Sequence, residues 1–136
     1  MLEVLEDLIA AMPVLGTMQV LNCQENLNSF GDAILDLGTE SLFIRIVRDK
    51  GKLFVKTGCY EEQLFDMQLV DAVLSNTPHI PSMDDERDTV EILRTWIGGG
   101  LNPLKEIFGE ACRDETVKKL LQLRNARWKQ FLAKYK

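Results

Sequence analysis

Seven residues, Leu42-Phe43-Ile44-Arg45-Ile46-Val47-Arg48, followed at once by Asp49-Lys50-Gly51, limit the fold of this chain more than any other stretch. Successive side chains of an extended chain point to opposite sides, so Leu42, Ile44 and Ile46 share one face and Phe43 and Arg45 the other. That alternation is the signature of a half-buried strand. Asp49-Lys50-Gly51 is a turn sequence, with Gly51 suited to the positive φ of a bulged hairpin. Leu53, Val55 and Thr57 carry the return strand. So short a connection makes an antiparallel pair, because parallel strands need a crossover of about a dozen residues or more.

Around this hairpin the chain divides into a sheet region over about 17–57 and a helical region over about 66–135. Leu2, Leu5, Leu8 and Ile9 recur at helical spacing, and Pro13 closes that N-terminal helix. Residues 17–23 and 32–37 read as strands, joined by an asparagine-rich loop through Asn22, Asn26 and Asn28, and the second ends at Gly38. Beyond the hairpin, Asp66 is placed to cap a helix that buries Leu69, Val70, Val73 and Leu74. Two prolines make Thr77–Pro81 a loop. Ser82 and Asp85 have capping-box spacing and start a helix reaching about Ile97, ended by Gly98-Gly99-Gly100. Asn102-Pro103 opens a short helix, and Asp114 or Thr116 opens the last one. In that last helix Val117, Leu120, Leu121, Trp128, Phe131, Leu132 and Tyr135 form an apolar stripe. The expected fold is one α+β domain over 1–136. It has an antiparallel β-meander of three to four strands, an N-terminal helix and a C-terminal set of helices.

A length of 136 residues with 46% hydrophobic and 27% charged residues suits one globular domain. No apolar run approaches the roughly 18 residues of a membrane span. The acidic start Met-Leu-Glu-Val-Leu-Glu-Asp lacks the basic region of a signal peptide, so the expectation is a cytoplasmic protein.

Charge is unevenly spread. Residues 1–100 hold 17 acids and 7 bases, and residues 101–136 hold 4 acids and 9 bases. The stretch 57–91 is the most acidic, with nine acids against Arg87 alone. Such asymmetry bears on partners and association, not on fold. Acids at a helix start complement its dipole and solubilise the surface. The alternative is a recognition surface made of Glu61, Glu62, Asp84, Asp85, Glu86 and Asp88, with Asp66 and Asp71 nearby. The basic last helix, carrying Lys118, Lys119, Arg124, Arg127, Lys129, Lys134 and Lys136, reads as a solvated face or as an internal partner of the acidic segment. Its aromatics fall at core spacing, so neither nucleic acid nor a membrane is an expected partner.

Residue types for chemistry are sparse. His79 is the only histidine and lies between two prolines, with no serine or cysteine elbow nearby. Cys23, Cys59 and Cys112 are odd in number and have no ligand-pair spacing, which argues against zinc and against a disulfide framework. Gly98-Gly99-Gly100 is not followed by Lys-Ser/Thr, and Asp84-Asp85-Glu86-Arg87-Asp88 lacks calcium-loop spacing. No catalytic residue, metal or cofactor is expected.

Ser29-Phe30-Gly31-Asp32-Ala33, the hairpin from Leu42 to Val55 and Leu64-Phe65-Asp66-Met67-Gln68-Leu69-Val70 together resemble small bacterial immunity proteins of contact-dependent or polymorphic toxin systems. The resemblance spans about residues 29–75. It implies a non-enzymatic protein that binds and neutralises a cognate toxin domain. Delivered toxins of this kind are often basic nucleases, against which an acidic face steers encounter and occludes a cationic cleft. Two other readings stand beside it: a non-catalytic regulatory or adaptor module, of the kind that can be oligomeric, and an enzyme working with carboxylates alone.

Overall fold

A computed structural model describes residues 6, 8–10, 13–26, 32–39, 41–50, 52–76, 80–81, 89–97 and 102–134. The hairpin forms where the alternation puts it. Strand β3 (Phe43–Asp49) pairs antiparallel with β4 (Lys52–Tyr60), with Ile44 opposite Thr57 and Ile46 opposite Val55. Asp49 faces Lys52, which leaves only Lys50 and Gly51 in the loop. Lys50 itself takes a positive φ of 51°, and its N–H donates to Asp32 Oδ1 at 3.1 Å. The positive φ expected of Gly51 falls on a residue outside the described ones.

The sheet has five strands, not three or four. Before the hairpin come β1 (Gln19–Asn26) and β2 (Asp32–Gly38); after it comes β5 (Gln63–Asp66). Their order in space is β1-β2-β3-β4-β5, a pure antiparallel meander. The sheet therefore runs from Gln19 to Asp66 and not over 17–57. Strand β1 extends through Asn22 and Asn26, so part of the expected asparagine loop is strand. At the N-terminus Glu6 and residues 8–10 are helical and Leu8 is buried; the other residues of the expected N-terminal helix lie outside the described residues. Pro13 opens a 3-10 stretch, Pro13–Thr17.

Among the described residues four helices follow the sheet: α1 (Met67–Leu74), α2 (Thr89–Ile97), α3 (Asn102–Ile107) and α4 (Arg113–Ala133). Their apolar sides and one sheet face enclose a single core. Leu35, Leu37, Ile44, Ile46, Val55 and Phe65 meet Leu69, Val70, Leu93, Leu104, Phe108 and Leu120 there. Asp66 occupies the cap position of α1, but its carboxylate makes no capping hydrogen bond. Helix α4 starts at Arg113, after Cys112, rather than at Asp114 or Thr116, and Thr116 is buried.

The two sheet edges are finished differently. Strand β5 covers β4 only from Lys56 onward. On the uncovered part, the Val55 N–H donates to Thr89 Oγ1 at 2.9 Å. A hydroxyl at the start of α2 so replaces the missing strand, and an edge that would otherwise offer unpaired backbone groups is closed. At the other edge β1 is exposed along most of its length.

Candidate functional site

The sheet face opposite the core carries a polar row fixed by register. Asn22 lies opposite Asp36, Asp36 opposite Arg45, Arg45 opposite Lys56 and Lys56 opposite Asp66, one residue from each strand. Cross-strand neighbours of this kind are close enough to interact directly. Arg45 donates to both Asp36 oxygens, Nε to Oδ1 at 2.8 Å and an Nη to Oδ2 at 3.0 Å. This is the forked geometry that makes arginine–carboxylate pairs strong and directional. Asp36 is only 1% exposed, and Asn22 adds a longer contact to it at 3.4 Å. The Asp36 hydrogen bonds push the Arg45 guanidinium pKa above its usual value, against an opposing contribution from burial.

The same Arg45 reaches Glu61 at 3.2 Å. Glu61 and Glu62 form the whole loop between β4 and β5, since Tyr60 pairs with Gln63. Two-residue loops of the mirror-image turn types need positive φ, yet among described non-glycine residues only Lys50 and Asn76 have it. A register shift between Thr57 and Tyr60 accommodates this turn instead. Gly58 is required there, because a Cβ on it would lie 2.3 Å from the Gln63 carbonyl oxygen. Both glutamates are exposed, and Tyr60 beside them is 50% exposed. Arg113 stacks on the Tyr60 ring at 5.3 Å and donates to its hydroxyl. The tip therefore presents an aromatic ring held by Arg113, one carboxylate, Glu61, held by Arg45, and the exposed Glu62 beside them.

Of the six acids singled out in the sequence, Glu61 and Glu62 stand together on this tip. Asp84, Asp85, Glu86 and Asp88 lie outside the described residues, as do His79 and Gly98–Gly100. Other acids of the same stretch are used internally. Asp66 accepts from Arg127 at 2.7 Å and lies 4.0 Å from Lys56 Nζ. Asp71 accepts from the Trp96 indole at 2.6 Å. Glu91 pairs with Arg94. The basic last helix thus does pair with the acidic segment, through Arg127.

That helix also corrects the expected apolar stripe. Leu120 is fully buried and Val117 and Leu121 are half-buried against the core, but Trp128 is 50% and Leu132 42% exposed. Trp128 stacks on Phe131 with ring centroids 5.5 Å apart, so the aromatics at core spacing pack on each other beyond the core. Arg124 lies over the Phe65 ring. Sequence reasoning did not find Arg45, Tyr60, Arg113 or the exposed aromatic pair.

The cysteines are dispersed free thiols: Cys23 exposed on β1, Cys59 on β4 and Cys112 before α4. Burial pushes the Cys59 thiol pKa up, partly offset by Arg113. Among the described residues no three histidine, cysteine or acidic side chains are grouped to hold a metal ion. No described helix is long and apolar enough to cross a membrane. Compared with protein-family models, with curated proteins and with solved structures, the chain matches none.

Proposed function

We propose that this chain is a non-catalytic binding protein of the immunity type, which neutralises a basic toxin domain by covering it with a charge-complementary surface. The Tyr60-Glu61-Glu62 tip carries the reading. An exposed tyrosine offers large contact area at low entropic cost and belongs to the residue types that anchor interfaces. Adjacent carboxylates steer a cationic partner and repel an anionic one. Arg45 holds Glu61 and Arg113 holds Tyr60 in place before any encounter, which lowers the ordering cost of binding. The resemblance over residues 29–75 points the same way, and the tip lies within it. Asp84, Asp85, Glu86 and Asp88 extend the acidic surface in this proposal.

The test uses the product of the gene immediately upstream as the partner. Replacing Glu61, Glu62, Asp84, Asp85, Glu86 and Asp88 together with serine, with folding confirmed by circular dichroism, is expected to slow association at least about tenfold at low salt. The salt dependence should flatten and growth protection should be lost. Undiminished association and protection would sink the acidic-face mechanism. A second reading, a non-catalytic adaptor that assembles with other chains, is favoured by the exposed Trp128 and Leu132.

A further inference from the structure

A cleft beside the second half of α4 is lined by Arg124, Asn125, Arg127 and Trp128 and encloses about 380 Å³. That volume lies near the lower end of the roughly 300–1,000 Å³ of small-ligand sites. Residues three and four apart on a helix are neighbours, so Arg124 has Arg127 and Trp128 beside it. Two guanidiniums and an indole therefore meet at one opening.

The charges there do not balance. Asp66 accepts from one Arg127 Nη at 2.7 Å and lies 4.0 Å from Lys56 Nζ. Arg124 is exposed, lies over the Phe65 ring at 5.4 Å and reaches no carboxylate among the described residues. Lys56, Arg124 and Arg127 against Asp66 alone leave an excess of two positive charges. Arg127 is 7% exposed and tied to Asp66, so one of these cations is set before any ligand arrives. The flanking helix adds no relief, since every charged residue of α4 after Glu115 is basic. Trp128 supplies another kind of contact. It is 50% exposed and stacks on Phe131 at an interplanar angle of 18°, and its indole N–H donates to no described residue. An indole backed by a second ring is a platform for a flat aromatic base.

We infer that this cleft binds a nucleoside monophosphate, its phosphate on Arg124 and Arg127 and its base stacked on Trp128. Two guanidiniums provide the forked donors that phosphate oxygens accept. The charge excess selects the monoester. A phosphate monoester carries about −1.5 to −2 at pH 7, which matches it, whereas a phosphate within a strand carries a single charge. Asn125 offers both a donor and an acceptor to the ribose or the base edge.

The test is a titration of the full, isotope-labelled chain with adenosine 5′-monophosphate, read on the Trp128 indole N–H resonance, which Trp128→Phe assigns. A saturable shift is expected, with a Kd between about 10 µM and about 1 mM. Adenosine and inorganic phosphate should each bind at least about tenfold more weakly, because each makes only one of the two contacts. Arg124→Gln should weaken the nucleotide at least about fivefold and leave adenosine unchanged, which general damage to the fold would not do. By calorimetry, Trp128→Leu should weaken the nucleotide and leave phosphate unchanged. Both substitutions are at exposed positions. Glu61→Ser with Glu62→Ser should not alter the titration, which separates this cleft from the hairpin tip. An indole resonance that does not move up to about 10 mM nucleotide would overturn the inference. So would nucleotide affinity untouched by Arg124→Gln, or inorganic phosphate binding as tightly as the nucleotide. A short oligoadenylate without a terminal phosphate that binds more tightly than the mononucleotide would also overturn it, in favour of a strand.

Discussion

Leu120 and Trp128 stand about two turns apart on the same helix, and only the first is inside the protein. The first half of α4, through Leu120 to Arg127, lies over α1 and β5, where Phe65 and Asp66 receive its side chains. The second half carries the same residue types at the same spacing but runs on beyond the core. An identical periodicity thus has two uses. Where another element faces it, an apolar position contributes transfer free energy and packing to stability. Where none does, it is surface that water covers poorly and another molecule can cover better. Arg127 marks the change: 7% exposed, it is the last buried residue of the helix, and Asp66 neutralises it from the end of β5.

A urea unfolding series at low protein concentration grades this contrast. Leu120→Ala deletes a fully buried side chain and leaves a cavity, for an expected loss of about 2–5 kcal/mol. Asp66→Ala comes next. It strands the Arg127 guanidinium, and because Asp66 is itself partly exposed the loss should be about 1–3 kcal/mol. Leu132→Ala is smallest, within about 0.5 kcal/mol of wild type, since it removes exposed surface and alanine is the better helix former. If Leu132→Ala costs as much as Leu120→Ala, the helix end is core and the contrast collapses.

How far these halves were legible in the sequence follows from what each depends on. The β3–β4 hairpin was legible because alternation and turn chemistry are local, and both sit within the sixteen residues from Leu42 to Thr57. Strand β5 was not: four residues, Gln63–Asp66, hold too little alternation, and their extended form comes from pairing with β4. Arg45 read only as the solvent side of a strand. Its fork onto buried Asp36 depends on the β2–β3 register, which neither strand states alone. Arg127 likewise looked like one base among seven, because the carboxylate that buries it lies 61 residues away. The stripe of α4 was read as one apolar stripe at core spacing, and the structure buries only its first part. Helical period reports which side of a helix is apolar, and it contains nothing about where the rest of the protein ends. Glu61 and Glu62 were singled out from charge alone, whereas Arg45, which holds Glu61, and Arg113, which holds Tyr60, needed the fold.

The measurement that tests this division of α4 most directly is hydrogen exchange of its backbone amides at about 10 µM protein. Amides from Leu120 to Arg127 are held by the core, so they should be strongly protected. Amides from Trp128 to Lys134 run on beyond the core and should exchange at least about tenfold faster. Protection that is uniform along the helix would contradict the account.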